Sequence, residues 1–104
     1  MPKLIYITTP TQKEAKIIAK TLLREKLAAC CNIFPIESIY RWQGKIKDER
    51  EFGIFVKTNS KLVEKVIKKV KELHSFETPC IISFGIEKGY KKFLKWIDKE
   101  TRQN

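Results

Sequence analysis

At 104 residues the chain has room for one domain with a real core and not for two. Its 42% hydrophobic residues and 11% aromatic residues exclude a disordered chain, and three cysteines, two of them adjacent, exclude a disulfide framework. Lys and Arg outnumber Asp and Glu by 22 to 12, a net charge of +10 that permits attraction to nucleic acid, anionic lipid or acidic ligands and says nothing about fold.

More than half of the basic residues lie between Lys57 and Arg102, mostly on the polar sides of two amphipathic helical patterns, where charges ordinarily face water. No apolar run approaches the ~20 residues of a membrane span. The stretch from Met1 to Tyr6 enters strand-like sequence with no signal-peptide pattern. With its unpaired cysteines, the chain reads as cytosolic.

Lys3 to Thr9 is a short, β-branched apolar run closed by Thr9-Pro10, a strand ending at a turn. Thr11 followed by Glu14 is a capping-box pattern, and Ala15, Ile18, Ala19 and Leu22 recur with helical spacing, which predicts a helix from Thr11 to Glu25. From Leu27 to Thr58 there is no helical period, and the run reads as two long strands folded back on each other. An extended strand from Ala28 to Ile46 would reach roughly 60 Å at ~3.3 Å per residue before a bend expected at Pro35. The first helix covers only about 22 Å. Such an arm outruns its own domain and needs other copies of the chain along its edges.

In the outer arm, Tyr40, Trp42 and Ile46 fall on one side and Ile39, Arg41, Gln43 and Lys45 on the other. The turn is placed at Lys47-Asp48-Glu49-Arg50, with Phe52, Ile54 and Val56 facing inward on the return strand. Asn59 or Ser60 caps a second helix carrying Leu62, Val63, Val66, Ile67, Val70 and Leu73 on a wide apolar stripe that Pro79 keeps from running on. Cys80 to Ile86 has the near-continuous apolarity of a central strand. After Gly89 a last helix puts Tyr90, Phe93, Leu94 and Ile97 on one face, and its tail from Lys99 to Asn104 is expected to fray. The order β-α-β-β-α-β with an added helix is an α+β, ferredoxin-like pattern in one domain, residues 1–104. Its sheet has one face under helices and one in need of a lid.

Few residues offer chemistry. His74 is the only histidine and closes the second helix, where it can cap the last carbonyls or serve as a metal ligand. Cys30 and Cys31 are consecutive on a strand and point to opposite faces, so at most one belongs to any site. Cys80, following Pro79, could pair with His74 as a soft-metal ligand, with further donors from Cys30, Glu77 or a neighbouring chain. No nucleophile motif, phosphate loop or acid/base pair stands out, so catalysis is not expected. The rival reading is an RNA-recognition domain of the same strand order. Ile5-Tyr6-Ile7 and Arg50 to Val56 partly match its two motifs, but Glu51 and Ile54 occupy positions where glycine and an aromatic residue are usual.

Taken together, Lys26-Leu27-Ala28-Ala29-Cys30, Asn32-Ile33, Ser38-Ile39-Tyr40, Trp42-x-Gly44-Lys45-Ile46, Glu51, Lys57-Thr58, His74-x-x-Glu77-x-Pro79 and Phe93-Leu94-x-Trp96-Ile97 closely resemble the CutA family of divalent-cation-tolerance proteins over almost the whole chain. The resemblance implies a ferredoxin-like, PII-like homotrimer in the cytosol. It also implies a link to tolerance of copper and other heavy metals, and no established catalysis. The copper ligands proposed for bacterial members fall on Ile7, Leu73 and His74, so His74 alone is retained. The expected metal set here is His74 with Cys80 or Cys30. A metal ion or a small anionic ligand is expected near subunit interfaces, in a cleft lined by Tyr40, Trp42, Glu51, Lys57 and Glu77.

Overall fold

The computed structural model describes residues 1–103. The chain folds into strand β1 (Pro2–Thr9), helix α1 (Gln12–Arg24), strands β2 (Cys30–Trp42) and β3 (Lys45–Asn59), helix α2 (Val63–Leu73), strand β4 (Ile81–Gly85) and helix α3 (Lys91–Glu100). A single 3-10 turn, Ser60–Leu62, leads into α2. The strands form one antiparallel sheet in the order β2-β3-β1-β4.

Local signals set the helix starts. The Thr11 hydroxyl accepts from the Glu14 amide at 3.1 Å and caps α1, and the Asn59 side chain accepts from the Lys61 amide at 3.0 Å. Ala15, Ile18 and Leu22 of α1 and Val66 and Val70 of α2 then pack on Ile5, Ile7, Ile54 and Val56, all buried. Each of the larger side chains contributes about 1.5–3 kcal/mol through burial. Neither α1 nor α2 covers the other face of the sheet. Tyr6, Phe34 and Phe55 cluster there, with Phe34 edge-on to Phe55 at 4.9 Å, and Ile82 and Phe84 stand half exposed. Gly53 makes this cluster fit, since a Cβ there would come within 2.7 Å of the Phe34 ring.

The arm is real, but its turn lies elsewhere than the charge run at Lys47-Asp48-Glu49-Arg50 suggests. β2 ends at Trp42, and Gln43 and Gly44 make a two-residue turn with φ values of 49° and 77°. Both are positive, as the type I′ hairpin turn requires. The residues expected to turn are paired strand instead, Lys47 with Tyr40 and Arg50 with Glu37.

This turn also corrects the facing. Trp42 pairs with Lys45 and Arg41 with Ile46, so Ile46 lies on the side opposite Tyr40 and Trp42. A tight turn puts directly paired residues on the same face, which shifts the parity of everything after it. With thirteen residues, β2 spans about 43 Å rather than 60 Å, in keeping with a longest molecular dimension of 44 Å. Pro35 stays in the ladder opposite Phe52. β2 is an edge strand, so a missing N–H on its outward side costs no hydrogen bond within the chain. β1 pairs with β3 only from Phe52 onward, so from Lys45 to Glu51 the arm projects past the body of the sheet.

Two further expectations are corrected. β4 is an edge strand, not a central one: Ile81 packs on the core, while Ile82 and Phe84 sit half exposed on the face away from α1 and α2. On α3 only Ile97 is buried, Tyr90 and Phe93 are exposed, and Phe93 stacks on Trp96 at 5.6 Å. The tail does not fray at its start. Thr101 is buried, its hydroxyl donating to the Ile97 carbonyl at 2.8 Å and accepting from the Asn59 amide nitrogen at 2.9 Å. Asn104 lies outside the described residues.

Candidate functional site at the base of the arm

Where the arm leaves the sheet, it and the turn between α2 and β4 enclose a cleft of about 670 Å³. Strand pleating delivers the arm's contribution. The β2–β3 register sets Tyr40 beside Lys47 and Ser38 beside Glu49, all on the side of the sheet opposite α1 and α2. From the facing turn come Phe76, Glu77 and Cys80. Tyr40, Trp42, Glu51 and Glu77 are thus brought together as expected. Lys57 is not: it lies at the far end of β3, hydrogen-bonded to Asn32 and 3.9 Å from the Cys30 sulfur.

Glu51 lies at the inner end of the cleft and is only 6% exposed. Its carboxylate acts on its neighbours. Burial foremost, then the Cys80 thiol and the Glu51 charge, raise the Tyr6 phenol above its ordinary pKa. Cys80 is likewise raised, chiefly by burial and also by Glu51, against a hydrogen bond with Thr8 that lowers it. Tyr40 donates its phenol to Glu49, and that hydrogen bond is the main reason its pKa is pushed up to about 12. These groups therefore keep their protons at neutral pH, and the carboxylates set the charge of the cleft. Sequence reading missed the parts played by Glu49, Phe76 and Thr8. The first needed the hairpin register, and the others needed the approach of the α2–β4 turn to the end of β1.

The expected metal ligands do not gather. His74 caps α2 with its side chain wholly buried. Its Nε2 lies 2.7 Å from the Thr8 carbonyl, and its Nδ1 accepts from the Phe76 amide at 3.0 Å. These partners assign the hydrogen to Nε2 and leave neither nitrogen free for a metal. Glu14 lies 3.4 Å from Nδ1 and accepts from the Ser75 amide, tying α1 to the same turn. So His74 joins the end of β1 to the α2–β4 turn rather than capping its own helix's last carbonyls. Cys30 sits beside Lys57, and Cys80 lies in the cleft. Among the described residues no three His, Cys, Asp or Glu side chains come together as a metal site. The single chain does not fit a copper centre built from His74, Cys30 and Cys80.

Cys31 packs against the core on the helix side of the sheet, whereas its neighbour Cys30 faces Lys57 on the other. Burial, with the adjacent Cys30 adding to it, pushes the Cys31 thiol from an ordinary 9.0 up to about 12. In iodoacetamide labelling at pH 8 followed by mass mapping, Cys31 is expected to stay unmodified in the folded protein and to label fully in urea. The unfolded chain gives up this proton near pH 9 and the folded one near pH 12. This stabilising contribution is therefore whole below pH 9 and declines as pH rises through that window. Equal labelling rates in the folded and unfolded states would contradict the burial.

The CutA1 divalent ion tolerance protein family model matches residues 3–100. The divalent-cation tolerance protein CutA of Archaeoglobus fulgidus is 52% identical over 99 residues, covering 95% of this chain and 97% of that protein. The Thermus thermophilus protein of the same name is 39% identical over 102 residues, covering 97% and 99%. The solved structure described as the periplasmic divalent cation tolerance protein CutA from Archaeoglobus fulgidus superposes with a TM-score of 0.96 at 51% identity, covering 98% of this chain and all of that one. The structure of the Thermus thermophilus protein gives a TM-score of 0.94 at 39% identity, covering 98% of this chain and 100% of that one. These likenesses displace the RNA-recognition alternative, whose partial motifs fall on β1 and β3 of a chain matched almost end to end by another family. The chain belongs to the CutA1 family of divalent ion tolerance proteins.

Proposed function

We propose that the protein is a ferredoxin-like, PII-like homotrimer that serves divalent-cation tolerance by binding a small ligand in the cleft at the base of its arm, without catalytic turnover. The observation that supports this most directly is a pair of unsatisfied surfaces on one chain. Among the described residues β3 has no second neighbour along Lys45–Glu51, and on the sheet face that α1 and α2 leave open Phe55, Ile82 and Phe84 stand partly exposed beside Tyr6 and Phe34. Free strand edges and a contiguous apolar face both call for another protein surface, and further copies of the same chain supply both at once. Copper or another divalent ion would need donors from more than one chain, since His74, Cys30 and Cys80 do not meet in one. The three free thiols, Cys30, Cys31 and Cys80, favour the reducing cytoplasm.

Light scattering of the purified protein at micromolar concentration is expected to give three times the chain mass of 12.3 kDa. A monomer under those conditions would overturn the assembly on which this reading stands.

A further inference from the structure

The charge of the cleft runs against that of the molecule. The chain carries +10, whereas the cleft is lined by Glu37, Glu49, Glu51 and Glu77 with Lys47 as its one basic residue. Glu51 is the most informative of these. It is more than nine-tenths buried and makes no hydrogen bond or ion pair among the described residues. Among the described residues no fully buried side-chain oxygen lacks a partner, so the Glu51 carboxylate opens onto the cleft it lines. An unpaired carboxylate at the inner end of a cleft lined by three further carboxylates favours a positively charged partner there.

The rest of the lining narrows what that partner is. A bare divalent ion would need several donors at one point, and no three His, Cys, Asp or Glu side chains converge. The cleft instead presents three aromatic rings, Tyr40, Trp42 and Phe76, whose faces attract a diffuse positive charge. Its volume of about 670 Å³ lies within the range of small-molecule sites. An anion would meet four carboxylates and find Lys57 out of reach at the other end of β3.

We propose that the cleft binds an organic ammonium ion, with Glu51 as its counter-ion and Tyr40, Trp42 and Phe76 as the rings around it. This rests on the reading of the cleft as a ligand site and gives that site its chemical class, a cation in place of the anion expected from the basic composition. Local attraction must outweigh the repulsion of a +10 chain, so binding is specific to the cleft rather than a general surface effect.

The test uses the full chain in its native assembly, with Trp96→Phe as background so that Trp42 reports alone. Spermidine and tetramethylammonium are titrated at constant ionic strength, with succinate as the anionic probe. Both ammonium ions are expected to change Trp42 fluorescence saturably, and succinate is not. Glu51→Gln, with its fold checked by circular dichroism, should weaken spermidine at least about tenfold. Trp42→Leu, at a 38% exposed position and with its fold and mass checked alongside, is followed by calorimetry and should weaken it about threefold or more. Spermidine affinity unchanged in either folded variant overturns the proposal. Saturable succinate binding lost in both variants would leave the cleft a ligand site of the wrong class. Silence from all three probes would remove the ligand-site reading as well.

Discussion

An Ile82→Glu/Phe84→Glu double variant is expected to remain folded and to scatter light as a single 12.3 kDa chain, in place of the trimer proposed for the parent. Both side chains lie on the edge strand β4, 48% and 50% exposed, on the face opposite α1 and α2. In an isolated chain these are surface changes, with an expected cost within about 0.5 kcal/mol. Buried between copies, each carboxylate would be an unpaired charge in an apolar contact, with a penalty of several kcal/mol. Symmetry repeats that penalty in every chain. The variant thus separates folding from assembly: far-UV circular dichroism should be unchanged while the mass falls to one third. A trimer that survives both charges would show that the copies do not meet across this face.

The parts of this fold that could be read from sequence are those fixed by local patterns. Thr11 with Glu14, and the spacing of Ala15, Ile18 and Leu22, placed α1 within a residue at each end. The alternation of Phe52, Ile54 and Val56 gave the buried side of β3. The arm's turn was misplaced because Lys47-Asp48-Glu49-Arg50 is charged enough to resemble a loop, whereas those residues are polar because they project beyond the core. The signal was the glycine of Gln43-Gly44, which alone among the nearby residues takes positive φ freely. β4 was misjudged because apolar sequence reports that a face is to be covered, not whether the cover comes from the same chain. In the cleft, residue types on the arm pointed to Tyr40, Trp42 and Glu51. The company of Phe76 and Cys80 depended on how the α2–β4 turn meets β1, a contact between residues far apart in sequence.

That contact runs through His74, and His74→Ala is expected to destabilise the protein by about 2–4 kcal/mol, whether or not metal is present. The substitution empties a fully buried site, leaves the Thr8 carbonyl without its donor and the Phe76 amide without its acceptor, and loosens the anchor that Glu14 shares through Ser75. A histidine kept mainly to hold a metal would behave differently, since its loss would matter only when the metal is bound. Urea unfolding at one fixed protein concentration, with excess chelator and then with added Cu(II), separates the two. The variant should unfold at lower urea by the same margin in both. His74→Gln should recover part of the loss, because its amide can still donate toward the Thr8 carbonyl. A variant as stable as the parent in chelator, and weaker only with copper, would return His74 to the role of ligand. Because Thr8, Phe76 and Cys80 border the cleft, loss of this tie should also weaken ligand binding there without removing any group that touches the ligand. On this reading His74 would act as a positioning residue, through the tie it makes between the α2–β4 turn and the end of β1.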